Sequence, residues 1–196
     1  MATQNDKNGQ NGQISNGNGT PVHLATTEPT TLSAPDPKTV LPLLTPPADE
    51  EAEAYYITFP SRPRLMGRTS SGTDPFEFKI LKNGLNPEFQ YMVMSDIGNH
   101  KIKKVWNDVE PLVLDSLESL PWASVYILRI GKNNVVPELH PVVVWVGIET
   151  AYAASVSWDD VALALRKCRV VLDKAGLTDV EVEVRSADVV TLEGQS

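Results

Sequence analysis

Residues 157–175 carry the most regular helical pattern in the chain, with apolar positions three or four residues apart along one face. Ser157 is placed to cap the start of this helix, and Gly176 is placed to end it. Cys168 lies on the apolar face, where a free cysteine acts as a small hydrophobic side chain. The pattern therefore predicts a core helix and a structural role for its cysteine.

Three strand patterns surround this helix. Residues 124–130 and 142–148 are almost wholly apolar, which predicts strands that are covered on both faces or central in a sheet. After the helix, residues 179–185 alternate valine with charged side chains. That alternation predicts a strand with its valines inward and with Glu181 and Glu183 on the solvent face.

Patterns nearer the N-terminus are weaker. A helical stripe begins near residue 99 and continues to residue 120, and Pro111 either kinks this helix or begins a second one. Three short segments have strand-like composition, namely residues 55–59, 76–80 and 90–94.

The order of these elements predicts the fold class. It reads helix, strand, strand, helix, strand, and the strand–helix–strand unit should cross over right-handed with its two strands parallel. An antiparallel pair ahead of that unit makes the sheet mixed. We therefore expect an α+β fold with a mixed sheet and helices packed on one face.

Composition divides the chain near residue 53. All thirteen aromatic residues lie at or after Tyr55, whereas residues 1–20 are rich in Asn, Gln and Gly and residues 21–50 hold seven prolines. Such a stretch cannot offset the ~1–2 kcal/mol per residue that backbone ordering costs. We therefore predict a disordered tail over residues 1–52 and a single α+β domain over residues 53–196.

Charge and motif content narrow the function classes. The formal net charge of −8 opposes non-specific binding to nucleic acid, and no apolar run reaches the ~18 residues of a membrane helix. The first twenty residues show no secretory pattern, so a cytoplasmic location without membrane association is expected. The single cysteine and the spacing of the histidines indicate no metal site, and no motif indicates a cofactor.

Five basic residues are candidates for ligand binding. Arg62, Arg64 and Arg68 lie within seven residues and could bind a phosphate, a carboxylate or an acidic partner, or pair with the acidic residues near position 50. Arg129 is the one charge in an apolar strand, which favours either a structural ion pair or a ligand clamp. His140 lies in the loop that follows that strand.

Several short motifs occur in an order that resembles a group of uncharacterised proteins from filamentous fungi. The motifs are SRPRL at residues 61–65, RTSS at 68–71, RIG at 129–131, WVGI at 145–148 and VEVEVRS at 180–186. The resemblance covers roughly residues 59–187 and implies a fungal origin and one α+β domain. It brings no activity, cofactor or catalytic residue.

No catalytic signature appears, so the sequence favours a non-enzymatic intracellular module for protein interaction or self-association. The apolar strands and a short apolar island at residues 40–44 support this reading, because exposed sheet edges and apolar segments recruit partners. The island is either a chance cluster or a docking motif for a partner or for the chain's own domain. The alternative function is an enzyme or a binder of small anionic ligands, with its site near Arg129 and His140.

Overall fold

The computed structural model of the protein describes residues 43–74, 76 and 91–187. Residues 1–42 of the predicted tail lie outside these residues, as do Gln90 and, apart from Phe76, the predicted strand at 76–80.

A five-stranded mixed sheet forms the centre of the fold. Its strands are β1 (Leu65–Arg68), β2 (Met92–Ser95), β3 (Trp122–Lys132), β4 (Val142–Glu149) and β5 (Val180–Ala187). They lie in the order β1-β5-β4-β3-β2. Only β4 and β5 are parallel, and the other neighbours are antiparallel. The mixed sheet expected from the order of elements is confirmed.

Two long helices, α2 (Ile102–Ser116) and α4 (Trp158–Lys174), cover one face of this sheet. The described chain also has two short helices, α1 (Asp49–Ala54) and α3 (Thr150–Ala153), and a 3-10 turn at Pro137–Leu139. Alternate valines of β4 and β5 share the main core with the apolar stripes of α2 and α4. The predicted order of helix, strand, strand, helix and strand is therefore confirmed as α2, β3, β4, α4 and β5.

Local sequence explains the bounds of α4. The Ser157 hydroxyl accepts a hydrogen bond from the Asp160 N–H at 3.2 Å, which satisfies a free donor of the first turn. Gly176 has φ +72°, a conformation that glycine adopts without strain, and its N–H donates to the carbonyl of Asp173. The neighbouring N–H of Leu177 donates to Leu172 at 2.8 Å, so both predicted ends of this helix are confirmed.

The helix α2 continues through Pro111, so the alternative in which this proline begins a second helix is wrong. Pro111 is exposed, and buried Val109 and Val113 hold the helix against the core on either side of it. Packing therefore outweighs the loss of one backbone hydrogen bond, which the proline cannot donate.

Residues 55–59 form turns, so the strand predicted there is wrong. The N–H of Ile57 donates to Ala54 and that of Phe59 to Tyr56, which winds the chain back on itself after α1. The rings of Tyr55, Tyr56 and Phe59 are buried against the sheet face opposite the long helices. Strand-like composition here reflects burial of aromatic rings, which turns also provide.

Candidate functional site

Two arginines of the predicted anion site, Arg64 and Arg68, form ion pairs with the short helix α1. Arg64 pairs with Asp49 at 2.7 Å and with Glu53, and Arg68 lies 3.0 Å from Glu51. Arg68 is buried and also donates to the backbone carbonyl of Asp74 at 2.6 Å. These ion pairs are the internal pairing that the sequence left open, and they fasten α1 to β1.

Arg62 lies apart from that network and is exposed. Its φ of +40° is the one positive value at a non-glycine residue in the described part of the chain. The loop therefore does not gather its three arginines into one group, and an anion site built from them stays a prediction.

Arg129 and His140 are brought together by a backbone contact. The Arg129 guanidinium donates to the carbonyl oxygen of His140, which holds the loop after β3 against the sheet. His140 is buried, and its Nε2 lies 3.1 Å from the Lys132 carbonyl oxygen and 3.0 Å from that of Val135. Because both partners only accept, Nε2 carries a proton and donates. Arg129 thus orders the loop in this structure.

The ring of His140 packs against the backbone of Gly131. A Cβ atom at Gly131 would overlap its imidazole, so this position admits only glycine while the ring stays in place. The Nδ1 atom of His140 is buried and has no hydrogen-bond partner in the described part of the chain. An acceptor without a donor is therefore built into this loop.

A cluster of buried polar groups lies on the second sheet face. Tyr55 donates to Glu183 Oε1 at 2.7 Å, Tyr56 donates to Oε2, and Trp145 Nε1 donates to the Tyr56 hydroxyl at 2.9 Å. Burial raises the pKa of Glu183, and the two tyrosine hydroxyls work against that rise. We name these four residues the tyrosine–glutamate cluster.

The solvent position predicted for Glu183 is wrong, because residues 49–59 cover the sheet face that it occupies. Glu181 is half-buried, and Thr69 donates to its carboxylate. Alternation along β5 correctly places the valines inward, but it carries no information about what covers the other face.

A pocket of about 320 Å³ opens beside this cluster. Tyr55, Glu183 and His140 line it together with the charged side chains of Asp74, Lys132 and Glu181. Its apolar wall includes Met92 and Ile130 from β2 and β3. Of the predicted site residues only His140 lines this pocket. Arg129 does not line it and contacts the backbone carbonyl of His140 instead.

The outer edge of β3 is open over more than half its length. β2 pairs only with residues 129–132, and no other described strand lies beside residues 122–128 on that side. Trp122 is 37% exposed and Tyr126 is 55% exposed. The sequence predicts that this strand is covered on both faces or lies in the centre of a sheet. The first half of β3 differs, because no described strand pairs with its outer side.

Arg185 is a polar residue that the sequence reasoning missed. It is buried on β5, and its guanidinium carbon lies 3.5 Å from the ring centroid of Trp145. Burial lowers its pKa, and none of the described carboxylates lies within 4.0 Å of it. An arginine within a run of alternating charges gave no signal of burial.

Other candidate groups have structural surroundings. Burial raises the pKa of Cys168 to about 12, so the predicted core position of this cysteine is confirmed. His100 lies 3.1 Å from Asp179, away from the partners of His140. Over the ranges that the structure describes, no three His, Cys, Asp or Glu side chains are grouped to hold a metal ion.

Comparison with known proteins yields no relative. No protein-family model, curated protein or solved structure matches the chain. The resemblance to fungal proteins therefore stays a prediction. Within residues 43–74 and 91–187, no helix has the length and apolar character needed to cross a bilayer.

Proposed function

We propose that this protein is a non-enzymatic module that self-associates through the open edge of β3, defined as the outer side of residues 122–128. The observation that carries the proposal is the lack of any charge, proline or strand partner along this edge among the described residues. Native proteins protect exposed edges with such devices because free backbone donors and acceptors recruit another strand. An unprotected edge favours a partner strand.

The two outermost strands of the sheet, β1 and β2, are poorer candidates for this contact. β1 and β2 each span four residues, and β1 ends at Arg68, whose side chain is engaged with α1. Short edge strands of this kind offer few hydrogen bonds to an incoming strand. The open edge of β3 is longer and wholly uncharged, so we place the contact there.

A second copy of the chain fits this edge. Antiparallel pairing centred on Val125 sets Ser124 of one copy opposite Tyr126 of the other, and Ala123 opposite Ile127. No like charges meet, and each edge supplies the same patch to the other, as a two-fold dimer requires. The two five-stranded sheets then form one continuous sheet of ten strands.

A charge placed on the edge tests the proposal. Light scattering on the full chain at about 100 µM should show a dimer, since a micromolar dissociation constant saturates at that concentration. Ala123→Lys should be monomeric, because a lysine on an edge strand opposes strand addition. Ala154→Lys makes the same change at an exposed alanine after α3 and should leave the dimer intact.

Circular dichroism on both variants would check that they fold. A monomeric wild type, a dimeric Ala123→Lys or a monomeric Ala154→Lys would each contradict the proposal. The expected cytoplasmic location and the absence of nucleic-acid binding stay predictions.

A second candidate function is small-ligand binding in the pocket beside the tyrosine–glutamate cluster. The unpaired acceptor of His140 and three lining carboxylates, against one lysine, favour a ligand with hydrogen-bond donors. We therefore propose a small amine with an apolar body, rather than the anionic ligand expected from the arginines.

Thermal unfolding with amines and carboxylates at equal ionic strength tests this second proposal. Amines should raise the unfolding temperature of the wild type selectively, and Glu181→Gln should reduce that rise. Glu138→Gln, on an exposed turn outside the pocket, should not change it. The proposal fails if amines give no selective stabilisation or if both variants respond like the wild type.

A further inference from the structure

Arg185 has no carboxylate partner among the residues that the structure describes. The residue is only 7% exposed, its Nη1 donates to the Ser186 carbonyl at 3.0 Å, and its Nε has no hydrogen-bond partner in the described part of the chain. The two other buried arginines in the described chain pair with acids, Arg68 with Glu51 and Arg169 with Asp173. A buried cation without a carboxylate costs stability, so an external anion beside Arg185 would stabilise the folded protein.

The guanidinium of Arg185 is aimed across β4 toward β3. A Cβ built on Gly147 would lie 3.5 Å from Arg185 Nη2 and 2.5 Å from the Ser124 hydroxyl oxygen. No more than 6.0 Å therefore separates these two donors. The two donors therefore border the same space over Gly147, where one oxyanion can accept from both through ordinary hydrogen bonds of ~2.8 Å.

Backbone features at this place allow the close approach. Gly147 pairs with Ser124, and the register between β3 and β4 shifts between Trp122 and Ser124. Such irregularities redirect side chains and concentrate beside functional sites. Larger side chains at position 147 would fill the space between the serine and the arginine.

The approach to these donors is open on the Tyr126 side. Tyr126 neighbours Ser124 along the same sheet face and is 55% exposed. Its phenol can donate to an anion held over Gly147. The Arg185 guanidinium stacks on the ring of Trp145, which fixes the plane of its donors.

We propose that Arg185, Ser124 and Tyr126 form an oxyanion-binding site for a carboxylate or phosphate group. The site is separate from the pocket beside the tyrosine–glutamate cluster, which none of these three residues lines. It does not rest on self-association, because all its groups belong to one copy.

Anion titrations on the full chain test the site. Inorganic phosphate and succinate should each be compared with chloride at equal ionic strength, using thermal unfolding and tryptophan emission. At least one should raise the wild-type unfolding temperature by about 2 °C or more beyond chloride. A response to phosphate alone, or to succinate alone, assigns the chemical source of the oxyanion.

Arg185→Met should abolish this shift and the emission change, whereas Ser124→Ala should reduce both. Arg166→Met removes the same charge at an exposed position on α4 and should respond like the wild type. Ala123→Lys, expected to be monomeric, should also respond, which separates failure of this site from failure of the dimer.

The unfolding temperature without anion adds a second criterion. A binding arginine that is desolvated and unpaired should be replaced by methionine without loss of stability. A large loss in Arg185→Met would assign Arg185 a packing role and overturn the proposal. Equal responses of the wild type and Arg185→Met, or no response beyond chloride, would overturn it too.

Discussion

Two buried charged side chains lie close together on β5, on the sheet face opposite the long helices. Glu183 accepts hydrogen bonds from two tyrosines, whereas Arg185 has a tryptophan ring and one backbone carbonyl as its partners. Burial penalises both charges, but both carboxylate oxygens of Glu183 accept hydrogen bonds, whereas Arg185 Nε has no partner among the described residues. The two residues therefore have different consequences for stability and for binding.

The raised pKa of Glu183 makes stability depend on pH in a defined direction. The unfolded chain loses this proton near the ordinary value of 4.5, before the folded chain does. The stabilising contribution is therefore full below that pH and is lost as pH rises through the folded pKa. Chemical denaturation should show the wild type losing stability relative to Glu183→Gln between acidic and neutral pH. Parallel stability curves for the two proteins would contradict this prediction.

Gly131 and His140 should show strongly coupled effects on stability. Gly131→Ala should lower the free energy of unfolding by about 1–3 kcal/mol, because the new methyl group displaces the imidazole ring. In His140→Ala the ring is absent, so adding Gly131→Ala should cost much less. Denaturant unfolding of both single variants and the double variant measures the coupling. Additive costs would show that the ring does not limit this position.

At the scale of elements, Asp179 links the start of β5 to the start of α2. Its carboxylate lies 3.1 Å from His100 Nε2 and 3.0 Å from Lys101 Nζ. Partial burial opposes ionisation, but the hydrogen bonds from His100 and Lys101 outweigh it and lower the pKa of Asp179 to about 2. The carboxylate therefore stabilises the fold above its unfolded pKa, and this contribution is lost as pH falls through about 2.

Asp179→Asn should consequently lower stability at neutral pH by less than about 1 kcal/mol, since the side chains of Asp179 and Lys101 are more than half exposed. The difference from the wild type should disappear in strong acid. Acid titrations followed by circular dichroism would measure both values. A difference that persists below pH 2 would show that the residue acts through packing.

Elements governed by nearby residues were predictable from sequence. The capping serine, the terminal glycine and the spacing of the apolar positions define α4 within about twenty positions, and the capping contacts at both ends are local. Residues 55–59 were not predictable in this way, because their turns are stabilised by aromatic burial against distant strands. The surroundings of Glu183 likewise depend on residues 127 or more positions away.

For the whole molecule, net charge opposes the proposed dimer. Each chain carries a formal charge of −8, while the open edge of β3 carries none. Salt screens the long-range repulsion and leaves the edge contact unchanged. The dimer association constant should therefore rise several-fold between ~10 mM and ~150 mM ionic strength. Sedimentation equilibrium at both ionic strengths would measure it, and a falling constant would indicate an interface built on ion pairs.

Topology was partly predictable at this scale. Crossover handedness implied a parallel pair, and β4 and β5 form it. The sequence pattern did not indicate that β5 would lie beside β1, since that pairing joins Leu65 to Arg185 across most of the domain. The pocket depends on this pairing because residues 70, 73 and 74, which follow β1, line it. The oxyanion donors depend instead on the register between β3, β4 and β5.

The ion pairs between α1 and the start of β1 join residues near position 50 to the sheet. Residues 44–52, which composition groups with the predicted tail, include buried Leu44 and Ala52, and Asp49 and Glu51 pair with Arg64 and Arg68. Removing residues 1–42 would keep every contact described above. A chain that begins at residue 53 lacks Glu51, the acid that pairs with buried Arg68. We therefore expect a fragment that begins at Leu43, twelve residues before the first aromatic residue, to be more stable than one that begins at residue 53.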